Sequence, residues 1–358
     1  MPQCFSRQHR FALTFLVSIM VTFLFGCSMA ELEQIAQENK LEDISPETGS
    51  TGGAGEKAKG KHLVFDSQIL GGKQSDEGTL GTFKRLLVGP GDEIRFVNPV
   101  AVGGIDNFLY IVDAGQRVVF RYDLVTSLIE PIGNIGFYFV GDPGNIYVAQ
   151  DRTFYIVDSV GKQVIQFDEK GNQLQVFQDL ANLSRPMDVV VDEQTGEVLV
   201  ADGSYSHIVV FNKFGKALRS IGRRGTGPGR FRAITALTIG VEGLYVVDRL
   251  EIPVQVISMN GDYKYSFGES YQVFPTAIAV NEDRLVFVAD KSDNTIRIYQ
   301  DAELLAMVGG TGSAPGRFRL ITSMWINNDF VYVADSMNKR IQVMRIQTKD
   351  SVPAALTL

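Results

Sequence analysis

The chain predicts an all-β fold, a six-bladed β-propeller of four-stranded antiparallel blades, and two internal regularities carry that prediction. An apolar element ending in aspartate recurs six times, at Asp113, Asp158, Asp202, Asp248, Asp290 and Asp335, with intervals of 45, 44, 46, 42 and 45 residues. Six residues beyond each aspartate stands a β-branched residue: Val119, Val164, Ile208, Val254, Ile296 and Ile341. Three residues further comes a large apolar one: Tyr122, Phe167, Phe211, Ile257, Tyr299 and Met344. Apolar runs of this kind, separated by short polar stretches, read as strands joined by hairpin turns. Four short strands in a repeat of roughly 44 residues, without helices, is the arithmetic of a propeller blade. An open stack of repeats is the competing architecture, but closure into a ring removes exposed strand edges.

The elements of each repeat follow in order. The first strand starts near a proline in four repeats, at Pro99, Pro143, Pro186 and Pro275, with Ile234 and Ile321 in the other two. Proline suits a strand's first residue, where its missing N–H is not needed. The second strand is the run that ends in aspartate, and the third holds the β-branched and large apolar positions. A fourth follows, as in Leu174-Gln175-Val176-Phe177 and Leu218-Arg219-Ser220-Ile221. The sixth repeat stops at Val343-Met344-Arg345-Ile346 without a fourth strand, while Thr82 to Val88 stands unattached before the first repeat. The segment at about 82–88 is therefore expected to complete the last blade and latch the ring. The propeller is expected over 62–346, with a C-terminal tail at 347–358.

The N-terminus reads as a targeting segment. A short basic stretch with Arg7 and Arg10 precedes an apolar run from Phe11 to Phe25, which is short for a stable membrane span and suits a secretory signal over 1–26. The run ends in Leu24-Phe25-Gly26-Cys27. This resembles the lipobox of bacterial lipoproteins, which implies acylation of Cys27 as the first mature residue. An ordinary signal peptide with a coincidental cysteine, or an uncleaved anchor, is the plain alternative. In lipoproteins of double-membrane bacteria, a serine such as Ser28 in the following position goes with export to the outer membrane; with a single membrane, the anchor would be on the outer face of the plasma membrane. From 27 to 61 the chain is rich in Glu, Lys, Gly and Ser and offers little to bury, so a lipid-anchored flexible tether is expected there.

Gly225-Thr226-Gly227-Pro228-Gly229-Arg230-Phe231, Gly310 to Phe318, and the run Tyr332-Val333-Ala334-Asp335-x-x-Asn338-x-Arg340-Ile341-Gln342-Val343 resemble NHL repeats. The resemblance covers roughly residues 80 to 346, with repeats two and four degenerate. It implies a six-bladed propeller of the kind used as interaction platforms, RNA binders and, in a few cases, enzymes, so it leaves function open.

Composition narrows the chemistry. Lys plus Arg number 34 against 41 Asp plus Glu, a net charge of −7. Loss of the two signal arginines would take this to 32 against 41, or −9. Such a balance weighs against a protein that tracks nucleic-acid phosphates. Two cysteines and three histidines provide neither a disulfide framework nor a thiolate zinc cluster. Propeller lyases that amidate peptides use several zinc-binding histidines, whereas only His62 and His207 would survive signal removal. Gluconolactonase-like propellers use a Glu/Asn/Asp metal site for which no matching motif is present. The six register aspartates are expected to fix their own hairpins through hydrogen bonds rather than to form a metal ring. No metal site or cofactor is assigned; a structural calcium held by channel carbonyls is compatible with the sequence.

The remaining signal is basic. Arg223, Arg224, Arg230 and Arg232 lie in one connection between blades, and Arg317 and Arg319 in a related one two blades on. All such connections emerge on one face of a propeller, so these arginines form a candidate binding face; the plain alternative is that Arg230 and Arg317 are repeat residues paired with blade carboxylates. Trp325, the single tryptophan, falls on the innermost strand of the sixth blade, at the position held elsewhere by Tyr147, Val190, Thr238 and Ala279. It is expected to pack between blades or to line the channel mouth. Together these readings lead to an exported, lipid-anchored, non-catalytic platform in a cell-envelope assembly, whose partner is an envelope protein or an anionic polymer and not a nucleic acid. The competing reading is a metal-dependent propeller hydrolase or lyase.

Overall fold

A computed structural model describes residues 61–74, 93–268 and 274–348. Among the described residues, six antiparallel blades of four strands each are arranged as a ring, with two short strands added at the outer edge of the first blade and a two-stranded parallel ladder in the connection between the third and fourth. Blade 3 is representative. Pro186–Asp192 is innermost, followed outward by Glu197–Asp202, His207–Phe211 and Ala217–Ile221. The second strands are buried along their whole inner length, because each is covered on both faces by neighbouring blades. They accordingly read as continuous apolar runs rather than as alternations. The fourth strands lie at the rim and are largely exposed, with the last residue buried in Gln173–Phe177 and Ala217–Ile221.

The core is not one mass but six apolar layers, each shared by two adjacent blades. The layer that closes the ring joins Val102, Leu109, Ile111 and Phe120 of blade 1 to Tyr332, Ala334, Ile341 and Val343 of blade 6. Since every layer needs two blades, no blade buries its apolar surface alone.

An N-terminal strand does complete the last blade, but it is Lys61–Ile69 rather than the expected segment at 82–88, which lies outside the described residues. Lys61–Ile69 runs antiparallel to Arg340–Thr348, from Lys61 opposite Thr348 to Ile69 opposite Ile341, with a bulge between Phe65 and Ser67. The physical reason is side-chain fit. Leu63 and Ile69 are buried, and Leu63 joins the layer between blades 5 and 6 while Ile69 joins the closing layer.

The same segment then crosses to blade 1. Gly71–Gln74 pairs in parallel with Leu128–Pro131, the outer strand of blade 1, and Ile94–Arg95 pairs with Gly71 and Gly72. Gly71 has φ of +140°, and a Cβ there would stand 1.7 Å from the Ile94 carbonyl oxygen. Only glycine fits this crossing. The chain thus ties the outer edge of the last blade to the outer edge of the first. In blade 2 the innermost strand is short, Ile146–Val148, and begins beyond Pro143.

Candidate functional site: the channel and the arginine face

Antiparallel blades place their turns on two faces. The turn between first and second strands opens on one face. The turn between second and third strands, and the connection from one blade to the next, lie on the other.

On the second face, the six aspartates act as clamps. All are fully buried. Asp113 accepts backbone N–H groups from Val97 at 2.7 Å and Asn98 at 3.0 Å, just before its blade's first strand, and from Gln116 in its own turn at 3.0 Å. Asp202 and Asp248 repeat the arrangement with Arg185 and Tyr205, and with Ala233 and Leu250. Each carboxylate therefore ties the entry of a blade to its second hairpin. In blades 5 and 6 a buried guanidinium joins it: Arg297 stands 3.2 Å from Asp290 and Arg340 2.8 Å from Asp335.

Two glutamines hold the glycine-rich connections. Gln255 accepts from the Gly229 N–H at 3.0 Å and donates to the Arg230 carbonyl at 2.7 Å. Gln342 does the same with Gly316 at 2.9 Å and Arg317 at 2.6 Å. The first connection is further fixed by a short parallel ladder, Arg223 opposite Arg230 and Arg224 opposite the buried Phe231.

This scaffold presents the candidate arginines to solvent: Arg223, Arg224, Arg230, Arg232, Arg317 and Arg319 are all exposed. Arg232 donates to the Leu250 carbonyl at 3.2 Å and Arg317 to the Gly309 carbonyl at 2.6 Å. The six form no salt bridge among the described residues, so pairing with blade carboxylates does not occur there. The two connections are two blades apart on the same face. Exposed Tyr205, Leu250 and Met337 in neighbouring turns add apolar surface to it.

The channel is the second feature. A cavity of about 420 Å³ is enclosed by the innermost strands. Trp325 lines it in register with Gly103, Tyr147, Val190, Thr238 and Ala279. Its indole also lies on the backbone of blade 1: a Cβ on Gly104 would come within 2.7 Å of Trp325 Cη2, and the Tyr332 ring is 5.3 Å away. Trp325 thus both packs between blades and lines the channel.

One level along the channel, the repeat positions are Ala101, Asn145, Asp188, Ala236, Ala277 and Ser323. Asp188 is a functional candidate that the aspartate periodicity does not reveal. Its carboxylate accepts from the Leu237 N–H of blade 4 at 2.8 Å and from Val189 N–H at 2.9 Å, with Asn145 as a further partner. Burial pushes its pKa up to about 7, against the lowering effect of these hydrogen bonds. The signal was present in the sequence: aligning the residue two beyond each strand-opening proline leaves one carboxylate among small or neutral side chains.

His62 lies in the latch strand of blade 6 and His207 begins the third strand of blade 3, where its ring is 2.6 Å from the Asn182 carbonyl. Among the described residues, no three His, Cys, Asp or Glu side chains stand where they could share a metal ion. Cys27 lies outside the described residues.

Comparisons agree on the fold. A family model described as a 6-bladed beta-propeller, DUF5128, matches residues 189–267, which fall in blades 3 and 4. No curated protein matches the chain. A structural genomics protein of unknown function from Bacteroides thetaiotaomicron is similar with a TM-score of 0.59 at 13% identity, over 80% of this chain and 76% of that one. A streptogramin B lyase is similar with a TM-score of 0.54 at 10% identity, over 71% and 95%. The virginiamycin B lyase of Staphylococcus aureus gives 0.51 at 11% identity, over 69% and 94%. At these identities the likeness is one of fold.

Proposed function

We infer that the protein is a non-catalytic docking platform, exported and held at a membrane by a lipid on Cys27, which presents its arginine-bearing face to an acidic segment of an envelope protein. The observation that carries the reading is the set of exposed guanidinium groups, free of salt bridges among the described residues, on loops fixed by Gln255, Gln342 and the Arg223–Phe231 ladder. Side chains presented by a rigid scaffold lose less freedom on binding, and an electropositive patch steers an acidic partner. The lipid anchor rests on the Leu24 to Cys27 sequence alone, and placement at the outer membrane on Ser28.

The test is binding of the purified full-length protein to polyglutamate, with dextran sulfate as the polymer comparison. Replacing Arg223, Arg224 and Arg230 together by Glu should weaken polyglutamate binding by about tenfold or more at low salt while leaving the melting temperature unchanged, since none of the three side chains hydrogen-bonds to the fold among the described residues. Equal binding by the variant removes the docking reading. Stronger dependence for dextran sulfate than for polyglutamate moves the partner class to an anionic polymer. Metabolic labelling with palmitate, lost in Cys27→Ala, tests the anchor.

A further inference from the structure

The channel opens toward the face opposite the arginines, and its chemistry is of the other sign. The cavity extends from the level of Asp188 and Ser323 to Glu193 and Gln194, exposed in the first turn of blade 3. Its lining includes Asp188, Asp192 and Glu193 and no lysine or arginine. All six turns at this end carry an acidic residue: Asp106, Asp151, Glu193, Glu242, Glu282 with Asp283, and Asp329. The two cations in these turns, Arg152 and Arg284, are bound to Asp106 and to Glu242 and Asp301.

We propose that the central cavity is a binding site for an organic cation, an ammonium or guanidinium group carried on an apolar body. The walls decide between this and a metal ion. A hard metal ion takes six or more oxygen ligands, whereas Asp188 is already occupied by Val189, Leu237 and Asn145, no three acidic, histidine or cysteine side chains converge among the described residues, and the rest of the wall mixes aliphatic and aromatic side chains with the neutral Asn145, Thr238 and Ser323. An apolar body fits against Val190, Ala279 and Ile326, and a cation is stabilised over the Trp325 or Tyr147 ring. Glu193 provides the counter-charge. One of its oxygens accepts from the Tyr147 hydroxyl at 3.0 Å and the Gln150 N–H at 3.1 Å, which aims the side chain at the cavity mouth.

Calorimetric titration of the full-length protein with phenethylamine, 2-phenylethanol and phenylacetate tests the assignment, because the three share one apolar body and differ in charge. The amine should bind most tightly and the carboxylate least. Glu193→Gln keeps an oxygen for the Tyr147 and Gln150 bonds and removes the charge, so it should weaken the amine about three- to tenfold and leave the alcohol unchanged. Thr238→Phe, which fills the cavity from the wall of blade 4, should abolish binding of all three. No amine binding at millimolar concentration, equal binding of amine and carboxylate, or an amine affinity indifferent to both variants overturns the proposal. The arginine face is untouched by these variants, so failure here leaves the docking reading standing.

Discussion

Asp188 shows how one residue links the inner wall of the ring to solution conditions. Its pKa in the folded protein is pushed up to about 7 by burial, from an ordinary value of 3.8. Between those values the folded protein keeps a proton that the unfolded chain releases. The resulting stabilisation is fully present below about pH 4 and is lost as pH rises through about 7, at up to about 1.4 kcal/mol per pH unit. Asp188→Asn, which never ionises, should therefore gain stability relative to wild type by a few kcal/mol between about pH 5 and about pH 8. Thermal melts of both proteins at the two pH values measure this, and parallel pH dependences would contradict it. At the same scale, Gln342→Leu leaves the Gly316 N–H without its partner and the Arg317 carbonyl with the Arg340 guanidinium alone. A cost of about 1–3 kcal/mol is expected in chemical denaturation. The sequence marks this role, because the glutamine after the β-branched position appears in blades 4 and 6, the two that carry the glycine-rich connections at 225–231 and 310–318.

The decisive element is the latch. Lys61–Ile69 covers the outer edge of Arg340–Thr348, and Gly71–Gln74 continues onto blade 1. Leu63→Asp places a charge in the layer between blades 5 and 6, where Leu63 is buried. It should cost about 3–5 kcal/mol and promote association through the unprotected edge. Val64→Lys, at an exposed position on the same strand, should cost nothing measurable. Denaturation midpoints and size-exclusion profiles of the two variants separate these outcomes. The repeat made the blades legible, since the aspartate, the β-branched position and the strand-opening proline recur at fixed offsets. The latch was less legible because a closing strand belongs to no repeat: Thr82 to Val88 and Lys61 to Ile69 are both apolar runs ahead of the first blade. Which of them fits the gap is set by the layers it must fill, and those layers exist only after the ring closes. Arg230 and Arg317 stand at a repeated position, as do Arg232 and Arg319, whereas Arg223 and Arg224 show only as a local basic pair in the first connection. Asp188 was hidden by a strand that is otherwise apolar up to its last residue, Asp192, and the channel-end turns by their spacing across six blades.

For the molecule as a whole, a net charge of −7 conceals a division between faces. The turns around the channel end are predominantly acidic, while the connections on the other face carry Arg185, Arg223, Arg224, Arg230, Arg232, Arg317 and Arg319. A propeller with faces of opposite sign approaches charged partners in one orientation. Encounter with an acidic partner should consequently slow as salt is raised toward the range where the Debye length is about 8 Å. Site-specific photocrosslinking in intact cells tests the central claim most directly. One crosslinker replaces Thr226, exposed in the arginine connection, and another replaces Val241, exposed in a turn of the opposite face. A docking platform that uses the arginine face predicts a discrete protein adduct from position 226, absent from position 241 and lost when Arg223, Arg224 and Arg230 are replaced by Glu. Adducts from position 241 alone, or an adduct from position 226 that survives the charge reversal, would contradict it.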